Sequence, residues 1–265
     1  MRIITWNLRR ANAGSVVWRI LKDLNPDIIL LQEVSVIPAD IKSLYEIEFR
    51  PAVNKKGNFQ NFGTAVLVKG KIISKIQLSS EFEWVNKEIG YFNGNLVSCI
   101  VQTGSNELIN VISVYSPAWP ISADRIKNID ISQVKLQLSK KLWCTEVLWS
   151  ALKNQSSIKN DNWVVGGDFN TSETFDYLWK GGPSGNLEII ERMNGLGLNE
   201  CLRAFNGKLI PTFKNPKGGK VIHQIDHIYA SEMMYAKLSN CATGNDDIIF
   251  GQSLSDHLPI IADFK

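Results

Sequence analysis

Five short polar clusters punctuate the chain: Trp6-Asn7, Gln32-Glu33, Gly166-Gly167-Asp168-Phe169-Asn170, Gln224-Ile225-Asp226 and Ser255-Asp256-His257. Each borders a short apolar run of the kind that forms a strand. Brought to one place, their carboxylates, carboxamides and histidine could hold a hard divalent cation through oxygen, bind a phosphate and activate a water.

Taken singly, each cluster has a plainer alternative. Asp168 and Asn170 follow residues 163–165, which read as a buried strand, and Gly166-Gly167 reads as its end, where the backbone can turn sharply. Two residues apart, Asp168 and Asn170 would point the same way in extended geometry. A carboxylate beside a carboxamide can hold a water and a phosphate oxygen together; the same pair also suits an Asx turn. Glu33 ends the apolar run 28–31 and is either a metal ligand or an exposed loop charge. Asn7 follows the run 3–6 and reads as an amide-oxygen ligand for metal or phosphate, or as a turn residue. His257 discriminates best. Imidazole carries protons near neutral pH, and a carboxylate that orients it raises its pKa. Asp226 is the candidate orienter, because a carboxylate in the apolar context Ile225-Asp226-His227-Ile228 needs a partner. The plainer alternative is a His–Asp pair that joins two strands.

The elements that would position these residues are legible as β-branched runs at 2–6, 28–31, 64–68, 96–101, 108–115, 163–165, 225–229 and 259–264. Several are almost wholly apolar, as expected of strands covered on both faces. Residues 15–24 read as a helix stopped at Asn25-Pro26, and 187–196 as one ended by Gly197. The longest helical candidate is 131–153, with Val134, Leu138, Leu142, Trp149 and Leu152 near one face; its Lys135, Lys140, Lys141 and Lys153 form either an anion-binding patch or a solvated outer face. Residues 54–61, 179–186 and 206–220 are turn-rich and read as surface loops near a site. Strands and helices without strict βαβ alternation predict α+β layers.

The chain of 265 residues can bury a large core and reads as a single domain over 1–265, with 44% apolar and 21% charged residues. A formal charge of +3 leans only slightly toward anionic partners. Cys99, Cys144, Cys201 and Cys241 lack CxxC spacing and read as reduced core residues. There is no run of transmembrane length, and the first residues read as a strand without a signal-peptide core, so a cytoplasmic protein is expected.

The ordered motifs Trp-Asn, Gln-Glu, Tyr115-Ser116-Pro117, Gly-Asp-Phe-Asn, Ile-Asp-x-Ile and Ser-Asp-His resemble those of the endonuclease/exonuclease/phosphatase superfamily, also called DNase I-like, over nearly the whole chain. The resemblance implies a four-layer α/β/β/α sandwich with two packed mixed β-sheets and metal-dependent phosphoester hydrolysis, with Mg²⁺ or Mn²⁺ as cofactor. It implies Glu33 as principal metal ligand with Asn7 and Asp256 nearby, Asp168 at the attacking water, and Asn170 on the scissile phosphate. It implies His257, held by Asp226, against the phosphate or moving a proton, and Tyr115 as the tyrosine that approaches phosphate in AP endonucleases. The resemblance leaves four departures. No histidine accompanies Tyr115-Ser116-Pro117, Leu8-Arg9-Arg10 replaces the AP-endonuclease Gly-Leu/Ile-Arg, Pro211-Thr212-Phe213-Lys214-Asn215-Pro216 replaces their Trp-rich loop before the final Ile-Asp, and His227 stands where Ile-Asp-Tyr is common.

A nuclease acting on DNA or RNA is the first expectation for substrate. Lys208, Lys214, Lys217 and Lys220 surround Phe213, Lys55-Lys56 precede Phe59 and Phe62, and Arg9 and Arg10 follow Asn7. Basic residues grip phosphates and aromatics stack bases. The alternative is a phosphatase or phosphodiesterase for a small phosphorylated metabolite or lipid headgroup. A non-catalytic binding protein on the same fold is disfavoured by the complete set of site residues.

Overall fold

The computed structural model describes residues 1–104, 106–178 and 184–265. The chain first lays down β1 (Arg2–Asn7), β2 (Ile28–Val34), β3 (Glu46–Val53) and β4 (Phe59–Val68). It then builds a second sheet from β5 (Gly70–Lys75), β6 (Leu96–Thr103), β7 (Leu108–Tyr115), β8 (Trp163–Asp168), β9 (Leu198–Glu200) and β10 (Asp226–Ser231). Finally β11 (Leu238–Thr243) and β12 (Ile260–Phe264) return to the first sheet. The strand orders are β11-β12-β1-β2-β4-β3 and β5-β6-β7-β8-β10-β9. In both mixed sheets a parallel pair, β1/β2 or β7/β8, lies at the centre.

Alternation explains the layers. Ile3, Ile28, Leu30, Val66 and Val68 of the first sheet meet Val97, Val111, Val164, Ile228 and Ala230 of the second in one buried cluster. The intervening residues face outward. Ile4, Trp6, Ile29 and Leu31 pack under the helix Val16–Leu24, and Ile112, Val114, Val165 and Tyr229 pack under the helix Cys144–Lys153. The result is an α/β/β/α sandwich. The four cysteines are free and buried. Among the described residues no helix is long and apolar enough to cross a membrane.

The helix Val16–Leu24 is capped by the Ser15 side chain and stopped by Asn25 in the left-handed region at φ 51°. The helix Asn186–Gly195 ends before Gly197, at φ 83°. The expected helix over 131–153 is corrected: only Cys144–Lys153 is helical. Glu146 sets its start by accepting the backbone N–H groups of Trp143 and Leu136, both at 2.7 Å. Val134 and Leu142 still reach the core, from turns, whereas Leu138 is exposed. Helical spacing there recorded burial without helix. Of the turn-rich stretches, residues 179–183 lie outside the described residues.

Gly166 and Gly167 are also corrected. They lie inside β8 and do not end it. A Cβ on Gly167, at φ 156°, would sit 1.9 Å from the Val114 carbonyl oxygen of the neighbouring parallel strand. A Cβ on Gly166 would press Leu30 across the sandwich at 2.9 Å. These glycines allow close approach within and between sheets.

Candidate active site

Strand direction gathers the site. The C-terminal ends of β1, β2, β7 and β8 lie beside the N-terminal ends of β10 and β12, because β10 runs antiparallel to β8 and β12 to β1. The inner faces grade from apolar to polar toward this end. Above the aliphatic layer come Thr5, Gln32 and Ser113, where Gln32 Nε2 donates to the Leu30 carbonyl at 3.0 Å and to Ser113 Oγ at 3.1 Å. One alternation further along their strands stand Asn7, Tyr115, Asp168 and Asp226. Asp226 pairs directly with Asp168, and Tyr115 with Asp168.

Glu33 does not follow alternation. Gln32 points inward, so Glu33 would point out. Its φ of 50° and the register shift between Leu31 and Val34 turn it back to the cleft. There its Oε1 accepts from the Tyr115 hydroxyl at 3.1 Å. Arg9, Arg10 and Asn170 also have left-handed backbones, at φ 47°, 60° and 49°. Non-glycine residues pay for that conformation in stability, and here they cluster at one site.

Asp226 and His257 form the centre. His257 Nδ1 lies 3.1 and 3.0 Å from the two Asp226 oxygens. The Thr212 hydroxyl donates to Asp226 Oδ2 at 2.7 Å. Trp6 Nε1 donates to the His257 carbonyl at 2.9 Å, and Ser255 Oγ, which accepts the His257 N–H, donates to the Asn7 carbonyl at 2.8 Å. His257 Nε2 is thereby turned toward Asp168 Oδ2 at 4.0 Å and Asp256 Oδ1 at 3.9 Å. Asp168 accepts from Asn7 Nδ2 and from the Asn170 N–H, each at 3.0 Å. Burial pushes Asp168 up to about 7, with the Asp226 charge adding and His257 opposing. Burial works against the His257 imidazolium, yet Asp226 and Asp168 raise it to about 10. Burial, reinforced by Glu33, also holds the Tyr115 hydroxyl well above its usual range, so it serves as a donor.

Asn7, Asp168, Asn170, Asp226, Asp256 and His257 join one hydrogen-bonded and ion-paired cluster, and the Glu33–Tyr115 pair lies beside it, with Tyr115 opposite Asp168 in the sheet. Asp168 and Asn170 are linked by the Asx turn, whose left-handed Asn170 replaces the extended geometry expected; the Asn170 Nδ2 donates to the Ser116 carbonyl at 2.7 Å. Asn7 turns its nitrogen to Asp168 while its oxygen accepts the Arg9 N–H at 2.9 Å. Arg9 Nε lies 3.8 Å from Asp256, and Arg10 Nε 3.4 Å from Glu33. Lys214 reaches the rim, its N–H donating to the Asp256 carbonyl at 2.8 Å, while Lys217 and Lys220 are exposed further along that loop. Sequence gives Ser255 only as a member of the Ser-Asp-His motif and does not single out Thr212 at all, because the Thr212 hydroxyl acts through Asp226, fourteen residues away, and leaves no local signal.

The site suits a hard cation. Asp168, Asp226 and His257 present ligand atoms within 4.8 Å of one another, a geometry that could hold a metal ion. Two of them are already matched to each other, however. Among the described residues Glu33 and Asp256 instead meet arginine and hydroxyl partners or a distant imidazole, and as carboxylates they supply the oxygen donors such an ion prefers.

A family model described as the Endonuclease/Exonuclease/phosphatase family matches residues 4–257. No curated protein matches. Among solved structures, an AP endonuclease from Archaeoglobus fulgidus is similar at 19% identity and TM-score 0.70, covering 100% of this chain and 99% of that one. A 3′ phosphatase from Neisseria bound to a product DNA hairpin has 19% identity and TM-score 0.68, covering 100% and 99%. The catalytic domain of APE2 from Xenopus laevis has 18% identity and TM-score 0.68, covering 100% and 92%.

Proposed function

The chain belongs to the endonuclease/exonuclease/phosphatase family and is thus a hydrolytic phosphoesterase, and from that premise we propose that it cleaves phosphodiester bonds of nucleic acid with the help of Mg²⁺ or Mn²⁺. The observation that carries this is the convergence of Asn7, Glu33, Tyr115, Asp168, Asn170, Asp226, Asp256 and His257 at one end of the sandwich. Structural likeness to an AP endonuclease and to a phosphatase bound to a DNA hairpin supports DNA as the first substrate to test.

Glu33 and Asp256 would hold the cation, which supplies charge neutralisation at the phosphoryl oxygens. Asp168, perched near neutral pKa, takes the proton of the attacking water. Asn7 and the Asn170 N–H fix its carboxylate in place. The His257 imidazolium, its Nδ1 fixed by Asp226, presents Nε2–H to a phosphate oxygen. Asn170 has a second Nδ2 hydrogen beyond the one given to Ser116, which would reach the same phosphate, and the Tyr115 hydroxyl, donated to Glu33 here, would turn to that phosphate once Glu33 is on the cation. The proton reaches Asp168 as the water oxygen bonds phosphorus and the P–O ester bond breaks, and the departing ester oxygen takes a proton from solvent.

The test is purified protein with Mg²⁺ against single- and double-stranded DNA, abasic DNA, RNA and inositol phosphates, beside Asp168→Asn. Cleavage of a nucleic acid, abolished by chelator and reduced roughly a hundredfold or more in the variant, is expected. Turnover of the small phosphates alone would move the metabolite-directed reading ahead.

A further inference from the structure

We infer that His227 is a positioning residue: its imidazole clamps the turn that carries Asn170 and so sets where that carboxamide meets the substrate. The inference rests on the phosphate role proposed for Asn170. Strand alternation sends Asp226 into the cleft and His227 to the outer face of β10, beneath residues 169–171. His227 is 3% exposed. Its Nε2 lies 2.9 Å from the Thr171 carbonyl oxygen, which can only accept, so that nitrogen carries a proton.

The ring itself cannot drift. The Phe169 ring meets it edge to face at 5.5 Å, and Tyr229 stacks on it at 5.5 Å. Nδ1 faces Gln224 Nε2 at 3.3 Å and Glu200 Oε1 at 3.5 Å. Gln224 is in turn held, since its Nε2 donates to Glu200 at 3.0 Å and its Oε1 accepts the Ile210 N–H at 3.2 Å. Glu200 is anchored by the Arg203 N–H at 2.7 Å.

The turn is therefore pinned to β10 and its preceding residue on both sides of Asn170. Phe169 N–H donates to the Ile225 carbonyl at 2.9 Å on one side, and His227 holds Thr171 on the other. Between them Asn170 sits at φ 49°, its N–H on Asp168 and its Nδ2 on the Ser116 carbonyl, so the His227 contact is what ties the following residue, Thr171, to β10. Without the Nε2 proton, the carbonyl of buried Thr171 loses its partner and the turn can relax.

Two amide substitutions separate the clamp from general packing. In His227→Gln the side-chain nitrogen reaches the place of imidazole Nε2. In His227→Asn it reaches only the place of Nδ1. Both lose the ring and both are uncharged. We expect backbone hydrogen exchange at Asn170 to quicken roughly tenfold or more in the Asn variant and to stay near the parent in the Gln variant. With Mg²⁺ and an oligonucleotide, kcat should fall roughly ten- to hundredfold in His227→Asn with little change in KM, and His227→Gln should recover most of it. Equal behaviour of the two variants, or unchanged exchange in both, would overturn the clamp. Quickened exchange with unchanged kcat would keep the clamp and overturn the phosphate role of Asn170. Nitrogen NMR of the parent is an independent check that needs no variant: an imidazole of His227 protonated at Nδ1 alone would overturn the assignment.

Discussion

Asp226→Asn removes one charge while keeping the shape of the side chain that orients His257. The Asp226 oxygens lie 3.0 and 3.1 Å from Nδ1. Opposite charges about 3 Å apart interact by about 5 kcal/mol at an effective dielectric constant near 20, equivalent to a pKa change of about four. That is comparable with what lifts His257 to about 10 against the penalty of burial. Asp168 and Asp256, at 4.0 and 3.9 Å from Nε2, retain part of the attraction. His257 in the variant should therefore titrate near or below neutrality, changing from imidazolium to neutral imidazole at pH 8. Stability should change with it. A histidine whose folded pKa lies above its unfolded value of about 6.5 contributes stability that is complete below that pH and is lost as pH climbs to about 10. The parent should lose stability across that window, and the variant should show a flatter profile. The assay is nitrogen NMR of the imidazoles against pH in metal-free protein, with thermal melts at the same pH values. A variant in which His257 still titrates above pH 9 would refute the pairing as the source of its protonation.

Arg10→Gln removes the guanidinium 3.4 Å from Glu33 and should tighten Mg²⁺ binding about two- to fivefold by calorimetry, as befits a half-exposed ion pair; weaker binding would show that Arg10 supports the cation site. Glu146→Ala leaves the N–H groups of Leu136 and Trp143 without their acceptor and should cost about 2–4 kcal/mol in denaturant unfolding, with activity per folded molecule preserved. Burial pushes Glu146 up to about 7, so in the parent this group loses stability as pH rises from the ordinary glutamate range to about 7, and Glu146→Gln should remove that slope. Replacing Lys214, Lys217 and Lys220 by Gln should weaken oligonucleotide binding and flatten its dependence on salt, read by fluorescence anisotropy at two salt concentrations; an unchanged slope would remove this loop from the substrate surface.

The sequence by itself determined the strands that are buried on both faces, and with them the site residues those strands carry. Short β-branched apolar runs such as those of β2 and β8 read as central strands, so the polar residues that follow each run are placed toward a sheet end before any coordinates are known. The strands it left unread are β3, β5, β9 and β11, which are the four sheet edges. Edge strands are half solvated or very short, and their pairing with a neighbour leaves no apolar run to read. Residues 131–143 failed for the converse reason: Val134 and Leu142 are buried from turns, and burial alone mimicked helical spacing. Orientation within the site belonged to tertiary structure. Glu33 reaches the cleft only because a left-handed residue and a register shift reverse its alternation. Thr212 reaches Asp226 because a loop crosses between β10 and the segment before β12, bridging Phe213 to both His223 and His257. Arg9 and Arg10 meet Asp256 and Glu33 across the parallel β1/β2 pair and its neighbour β12. Local residue types fix which groups can emerge at a strand end. Which of them touch is decided by backbone reversals and by contacts between segments far apart in the chain, and neither leaves a periodic trace in sequence.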